Sequence, residues 1–155
     1  MPQPNDHLPQ YSFTAIGHVE TNVPDADIAK NRRTIVSDIV IAPEFEPALL
    51  GIEAYSHLIV LFWMDRVAGP RKLQTHPRGD QTLPLQGVLA MRGSNHPNPL
   101  GLAVVELLSR SANRLTVKRL DAFHQTPIID LKPYDDYDSY PEIRVADWFA
   151  QRRTR

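Results

Sequence analysis

The sequence predicts a mostly β fold, a barrel or a sandwich, with few and short helices. Two observations carry that expectation. Short β-branched and apolar runs recur at roughly even spacing, with turn residues between them. Proline is frequent, 14 of 155 residues, and each proline removes a backbone donor that an all-helical chain would use.

Residues 1–10 are polar and proline-rich and read as a disordered lead-in. Residues 11–155 then form one domain, since the length suits one compact unit better than two. Tyr11 to His18 alternates enough for a first strand. Asn22 to Asp27 reads as a turn-rich loop, followed by the basic cluster Lys30, Arg32 and Arg33. Thr34 to Ile41 is β-branched and reads as a second strand. Pro43 to Leu50 fits one or two helical turns, opened by Pro43 and stopped by Gly51. His57 to Met64 is a continuous apolar run, as in a strand buried on both faces.

Asp65 to Pro84 is a long polar connection carrying Arg66, Arg71, Lys72 and Arg78; a loop of that length is usually functional or mobile. Gly87 to Met91 reads as a short strand, and Met91 to Gly101 as an irregular loop. Leu102 to Leu108 and Arg114 to Lys118 read as a hairpin around Ser111, Ala112 and Asn113. Pro127 to Leu131 is a further strand, and Arg144 to Gln151 fits a short amphipathic helix.

The bulk numbers exclude several classes of function. Without cysteine there is no disulfide framework, thiolate zinc site or cysteine nucleophile. No run of about 18 apolar residues is present to span a membrane as a helix. The N-terminus lacks the apolar stretch of a signal peptide, so a cytoplasmic location is expected. At a formal net charge of −1 there is no global basic field, so any polyanion must be held by local patches. The six histidines show no HxxxH or HxH spacing, and no metal site is expected. There is no GxGxxG fingerprint, and Ser94 lacks a nucleophile elbow.

Three clusters carry the candidate chemistry. The first, Gly51 to His57, feeds the apolar strand; Ser56 and His57 serve equally well as turn residues there. The second runs from Met91 to Gly101. Pro97 and Pro99 keep it out of helix and central strand and stiffen it, while Arg92, His96 and Asn98 supply polar groups. A rigid loop with an arginine can cradle a ligand carboxylate, or be rigid only for stability. The third runs from Leu120 to Tyr134. Within it Asp130 and Lys132 share a strand face by the period of two, where they can form a weak ion pair.

Together the clusters resemble the TsaA-like family of tRNA methyltransferases. Gly51 to His57 matches that family's Gly-Leu-Glu-x-Phe-Ser-His. Gly87 to Gly101 matches Gly-Val-Phe-Ala-Thr-Arg-Ser-Pro-x-Arg-Pro-Asn-Pro-Ile-Gly. Leu120 to Tyr134 matches Leu-Asp-x-x-Asp-Gly-Thr-Pro-Val-x-Asp-Ile-Lys-Pro-Tyr. The likeness covers roughly Tyr11 to Trp148, with departures. His96 stands where the family has a second arginine, His124-Gln125 where it has Asp-Gly, and Asp65-Arg66 where a His-Gln-like pair closes the apolar strand.

The resemblance implies a small antiparallel β-barrel, in its single-domain form, that binds S-adenosyl-L-methionine (SAM) and works as a homodimer. It implies N6-methylation of threonylcarbamoyl-adenosine beside the tRNA anticodon. The departures leave two alternatives: another small or nucleoside substrate, or a SAM-binding module without catalysis. Cofactor contacts are implied from Asn31, Arg32, Arg33, Asp65, Arg66, Arg92, Leu102, Leu120 and Asp121, although Leu102 also reads as core. Asp121 and Asp130 are the candidate bases for an adenine amine. His96, Asn98, Lys132 and Tyr134 are expected on the substrate side, and the basic residues of the 65–84 loop toward RNA phosphates. His96 either faces an anionic part of the acceptor or hydrogen-bonds the loop backbone. Val145, Trp148 and Phe149 on the terminal helix either join two subunits or cap the barrel.

Overall fold

The structure, a computed structural model, describes residues 8–151. Residues 1–7 of the lead-in and the C-terminal Arg152, Arg153 and Arg155 lie outside the described residues. Six strands close an antiparallel barrel: β1 (Gly17–Glu20), β2 (Val36–Ile41), β3 (His57–Trp63), β6 (Leu100–Ser111), β7 (Arg114–Lys118) and β8 (Pro127–Pro133). Their order around the barrel is β1-β2-β7-β6-β3-β8, and β8 closes it by pairing with both β3 and β1. A separate two-stranded ribbon, β4 (Gln74–Thr75) with β5 (Gln86–Gly87), sits within the β3–β6 connection.

Alternation builds the core. Val19, Ile39, Ile41, Leu58, Val60, Val105, Leu115, Val117 and Ile128 point inward and are fully buried. Each contributes about 1.5–3 kcal/mol relative to exposure. Two glycines let strands approach where a side chain would not fit. A Cβ on Gly17 would lie 2.3 Å from the Val40 carbonyl oxygen, and one on Gly101 would lie 2.2 Å from the Phe62 ring.

The outer faces differ in chemistry. On β1, β2 and β7, Arg114 donates to Glu20 at 2.7 Å and to Asp38 at 2.8 Å, and Thr116 donates to Asp38 at 2.7 Å. On β3 and β6 three successive outward cross-strand pairs are apolar, Ile59 with Val104, Leu61 with Leu102 and Trp63 with Leu100, and the next, His57 with Glu106, is polar. β3 is therefore not buried on both faces as its unbroken apolar run predicts. Leu58, Val60 and Phe62 are buried, while Ile59, Leu61 and Trp63 on the outward face are only half-buried.

Several boundaries differ from the expectations. Tyr11 to Ile16 is not strand; Tyr11 and Phe13 are exposed, and β1 begins only at Gly17. The supposed loop at Asn22–Asp27 turns into helix α1 (Asp25–Asn31), which follows Pro24, carries Asp25 and Asp27 in its first turn and buries Ile28. Gly87 belongs to β5, but Val88–Ala90 forms a 3-10 turn rather than strand. Helix α2 is one turn, Asp147–Ala150, shorter than expected. The segment after β2 does form a 3-10 helix, Pro43–Leu49, followed by Gly51 at φ 86° and a second 3-10 turn, Ile52–Ala54. Arg110 fastens both turns to the barrel by donating to the Leu49 carbonyl at 3.1 Å and to Glu53 at 2.7 Å. This gives the Gly51–His57 cluster a structural role.

Candidate functional site at one mouth of the barrel

Three connections meet at one end of the barrel: β1–β2 with α1, β3–β6, and β7–β8. Arg119 N–H donates to the Ile35 carbonyl at 2.9 Å, which sets Leu120 and Asp121 beside the segment leaving α1. Gln125 N–H donates to the Val19 carbonyl at 2.7 Å, and Thr21 N–H to His124 Nδ1 at 3.3 Å. The turn between them is conformationally demanding at both ends, with Arg119 at φ 78° and Gln125 at φ 66°. Leu120 is fully buried and anchors it, leaving Asp121 exposed. Met64 N–H donates to the Pro99 carbonyl at 2.8 Å, so the 91–99 loop reaches the same mouth beside Asp65 and Arg66.

Seven of the predicted residues gather here: Asn31, Arg32, Arg33, Asp65, Arg66, Leu120 and Asp121. Among the described residues, the side chains of Arg32, Arg33, Asp65 and Asp121 have no hydrogen-bond or ion-pair partner, and all four are exposed. Arg66 is different. It forms an ion pair with Asp25, donates to the His124 carbonyl at 2.6 Å and lies 5.2 Å from the Phe123 ring centroid.

Of the remaining predicted residues, Arg92, His96, Asn98 and Leu102 lie on the outer face that starts at this mouth, whereas Asp130, Lys132 and Tyr134 lie toward the opposite end. Arg92 Nη2 donates to the Leu102 carbonyl at 2.8 Å, which ties two of them together. The Leu102 side chain is 48% exposed, so the core alternative for it is wrong; its position on β6 alternates outward. His96 Nε2 lies 2.9 Å from the Met91 carbonyl, and since a carbonyl only accepts, this nitrogen carries the proton. The contact is the loop-backbone alternative for His96. A shallow hollow of about 380 Å³ is lined by Leu61, Leu89, His96, Asn98, Leu100 and Leu102.

Asp130 and Lys132 do share a face, as the two-residue period predicts, and pair at 2.9 Å. The pairing raises the Lys132 pKa above the ordinary lysine value through that hydrogen bond. The second Asp130 oxygen accepts from Leu131 N–H at 2.9 Å, so this carboxylate is already engaged. Tyr134 meets His57 edge to face at 6.4 Å and its N–H donates to the His57 carbonyl at 3.1 Å, away from the mouth. A hollow of about 390 Å³ between Ile16, Phe45, Ile52, Tyr55 and β8 opens at the opposite end, where the unpaired charges of the mouth are absent. Sequence reasoning missed α1 as the wall of the mouth and Asp25 on it; the Pro24-Asp25-Ala26-Asp27 helix start was the available signal.

A small closed β-barrel with a charged mouth built from three interstrand connections is the class that the fold and site define. Residues 20–139 match the family model of the tRNA-methyltransferase O N-terminal domain, and the chain belongs to that family. It is 44% identical over 108 residues to an S-adenosyl-L-methionine-binding protein of Archaeoglobus fulgidus, covering 70% of this chain and 72% of that one. Against another Archaeoglobus fulgidus relative, named "Probable S-adenosyl-L-methionine-binding protein", the identity is also 44%, over 74% of this chain but 30% of that protein's length. The crystal structure of TrmO from Pseudomonas aeruginosa superposes with a TM-score of 0.70 at 26% identity, over 89% of this chain and 62% of that one. A further TrmO crystal structure gives 0.72 at 28% identity, over 90% and 63%. The chain therefore spans less than two thirds of TrmO and under a third of one curated relative.

Proposed function

We propose that this protein is a SAM-dependent methyltransferase that N6-methylates threonylcarbamoyl-adenosine next to the tRNA anticodon. The observation that carries the reading is the mouth itself. Two unpaired arginines and two unpaired aspartates surround a turn that belongs to the family's Leu-Asp motif, in a chain with 44% identity to a SAM-binding relative. SAM is a zwitterion with a sulfonium, and this donor set fits it. Arg32 and Arg33 suit its carboxylate, and Asp65 suits its ammonium group. Arg92, held against β6 through the Leu102 carbonyl, keeps further guanidinium donors for the ligand.

When bound, SAM supplies an electrophilic methyl group, so the protein's work is placement of the acceptor. An adenine amine is a weak nucleophile and gains from a carboxylate that accepts its proton as the bond forms. Asp121 suits that role better than Asp130. Its carboxylate is exposed and unpaired among the described residues, whereas Asp130 is engaged by Lys132 and Leu131. His96 holds the 91–99 loop closed on Met91, and Asn98 lines the adjoining hollow, where its amide can meet the acceptor. Arg71, which donates to the Ser94 carbonyl at 3.2 Å, and exposed Lys72 support a role for the 65–84 loop toward RNA phosphates. Lys132 lines the hollow at the opposite end with Asp130, and Tyr134 packs against His57, so neither supports the acceptor side of the mouth.

A second copy of the chain is the partner we assign to the apolar outer face of β3 and β6. Leu100, Leu102 and Val104 are exposed there, in contrast to the ion-paired face of β1, β2 and β7. Leu102→Glu tests it. Light scattering at micromolar concentration is expected to give a dimer for the wild type and a monomer for the variant; a monomeric wild type refutes the assignment. No helix among the described residues is long and apolar enough to cross a membrane. The enzymatic reading is tested by incubating the protein with SAM and unmodified or threonylcarbamoylated tRNA, followed by nucleoside mass analysis.

A further inference from the structure

We propose that Arg66 is a positioning residue of the donor site, a clamp that holds the two walls of the mouth at a fixed spacing, rather than a ligand of the donor. The inference rests on the donor-site reading above. Arg66 leaves the end of β3 and is bonded on two sides. Its Nη1 pairs with Asp25 on α1, and its Nη2 donates to the His124 carbonyl at 2.6 Å in the β7–β8 connection. The guanidinium plane is also taken, since Cζ sits 5.2 Å from the Phe123 ring centroid. One side chain thus joins three connections, and each of those connections carries candidate donor contacts.

The geometry separates Arg66 from its basic neighbours. Arg32 and Arg33 are exposed and unpaired among the described residues, so a carboxylate can approach them without breaking a protein contact. A ligand that recruited Arg66 would have to displace Asp25 or the His124 carbonyl. A planar fork with several donors suits bridging of two segments, which a lysine at the same place cannot reproduce with one point charge. Other tethers cross the mouth, namely Gln125 N–H to Val19, Thr21 N–H to His124 and Arg119 N–H to Ile35. They join the β7–β8 connection to β1, to the residue just after it and to the segment that follows α1; among the described residues, none of the three reaches α1 itself. The Asp25–Arg66–His124 bridge does.

Two experiments on the intact chain test the clamp. Hydrogen exchange of the ligand-free protein reads it without SAM. Arg66→Gln is expected to raise exchange in both 25–31 and 121–125; no change, or a change in only one segment, overturns the proposal. Calorimetry with SAM reads its effect on the site. Arg66→Gln and Asp25→Asn are each expected to weaken SAM binding by about tenfold, the scale of one charge-assisted hydrogen bond. The double variant is then no weaker than Arg66→Gln alone. Loss on Arg66→Gln with none on Asp25→Asn makes Arg66 a direct ligand and overturns the positioning role. Because the pair is nearly half exposed, thermal unfolding should shift by no more than about 4 °C, which separates the loss of affinity from loss of fold. Arg66→Lys should recover part of the affinity. A wild type that binds no SAM removes the donor-site reading, and the exchange result then judges the clamp alone.

Discussion

The Arg92 guanidinium donates to the Leu102 carbonyl at 2.8 Å, so a loop arginine and a strand leucine ten residues later act as one unit. The bond fixes the start of the 91–99 loop against β6. On the proposed reading, Leu102 serves the donor site through its carbonyl, which orients the arginine, and not through its exposed side chain.

Arg92→Ala should therefore weaken SAM binding by about 1.5–3 kcal/mol, the range for a hydrogen bond to a charged group. Calorimetry on the folded variant checks it. Unchanged affinity would leave Arg92 as a staple of the loop alone.

Gln125 takes a left-handed conformation, φ 66°, at the position where the resembling family has glycine. A side chain with a Cβ is strained there by roughly 1–2 kcal/mol, partly offset by the lower chain entropy of the unfolded state relative to glycine. Gln125→Gly is expected to raise stability by up to about 1 kcal/mol in urea unfolding. Destabilisation would show that the Gln125 side chain supports the turn by contacts that outweigh the strain.

Gly17 packs its Cα against backbone, not against a side chain that can move aside. Gly17→Ala should cost about 1–3 kcal/mol, the usual range for overpacking, and lower the thermal midpoint. A variant as stable as the wild type would mean that β1 and β2 can separate at this point without loss.

The Glu20 carboxyl is held below its ordinary value, first by the hydrogen bond from Arg114 and then by that from His18. A depressed folded-state value contributes stability that is present above the unfolded value of about 4.3–4.5 and is lost as pH falls through the folded value. Glu20→Gln should then melt at lower temperature than the wild type at pH 7, with the difference shrinking below about pH 4.5. A difference that stays constant with pH would remove the ion pair as its origin.

Much of the barrel was legible because alternation and turn chemistry are local. Val36–Ile41, Arg114–Lys118 and the Ala112-Asn113 hairpin stand close to where β-branched runs and polar breaks predict them. The barrel was expected, but its strand order was not legible, because pairing of β8 with both β3 and β1 depends on residues far apart in sequence. Helix α1 was obscured by its turn-forming composition, although its first-turn acids and buried Ile28 follow the rules of a helix start. The unbroken apolar run of β3 misled for a different reason. Its outward residues match exposed leucines on β6, the face proposed above for a second copy of the chain. Within the site, the two-residue period placed Asp130 with Lys132. Only the tertiary structure separates that engaged carboxylate from the free one of Asp121.

The most direct test of the central claim is methyl transfer to tRNA, read by mass analysis of nucleosides after digestion. The wild-type protein with SAM and threonylcarbamoylated tRNA should add one methyl group to that nucleoside, and Asp121→Asn should reduce the rate by about 10²–10⁴-fold, the range for a lost general base. Tightly bound SAM with no methylated nucleoside in any tRNA would contradict the account and leave a SAM-binding module in its place.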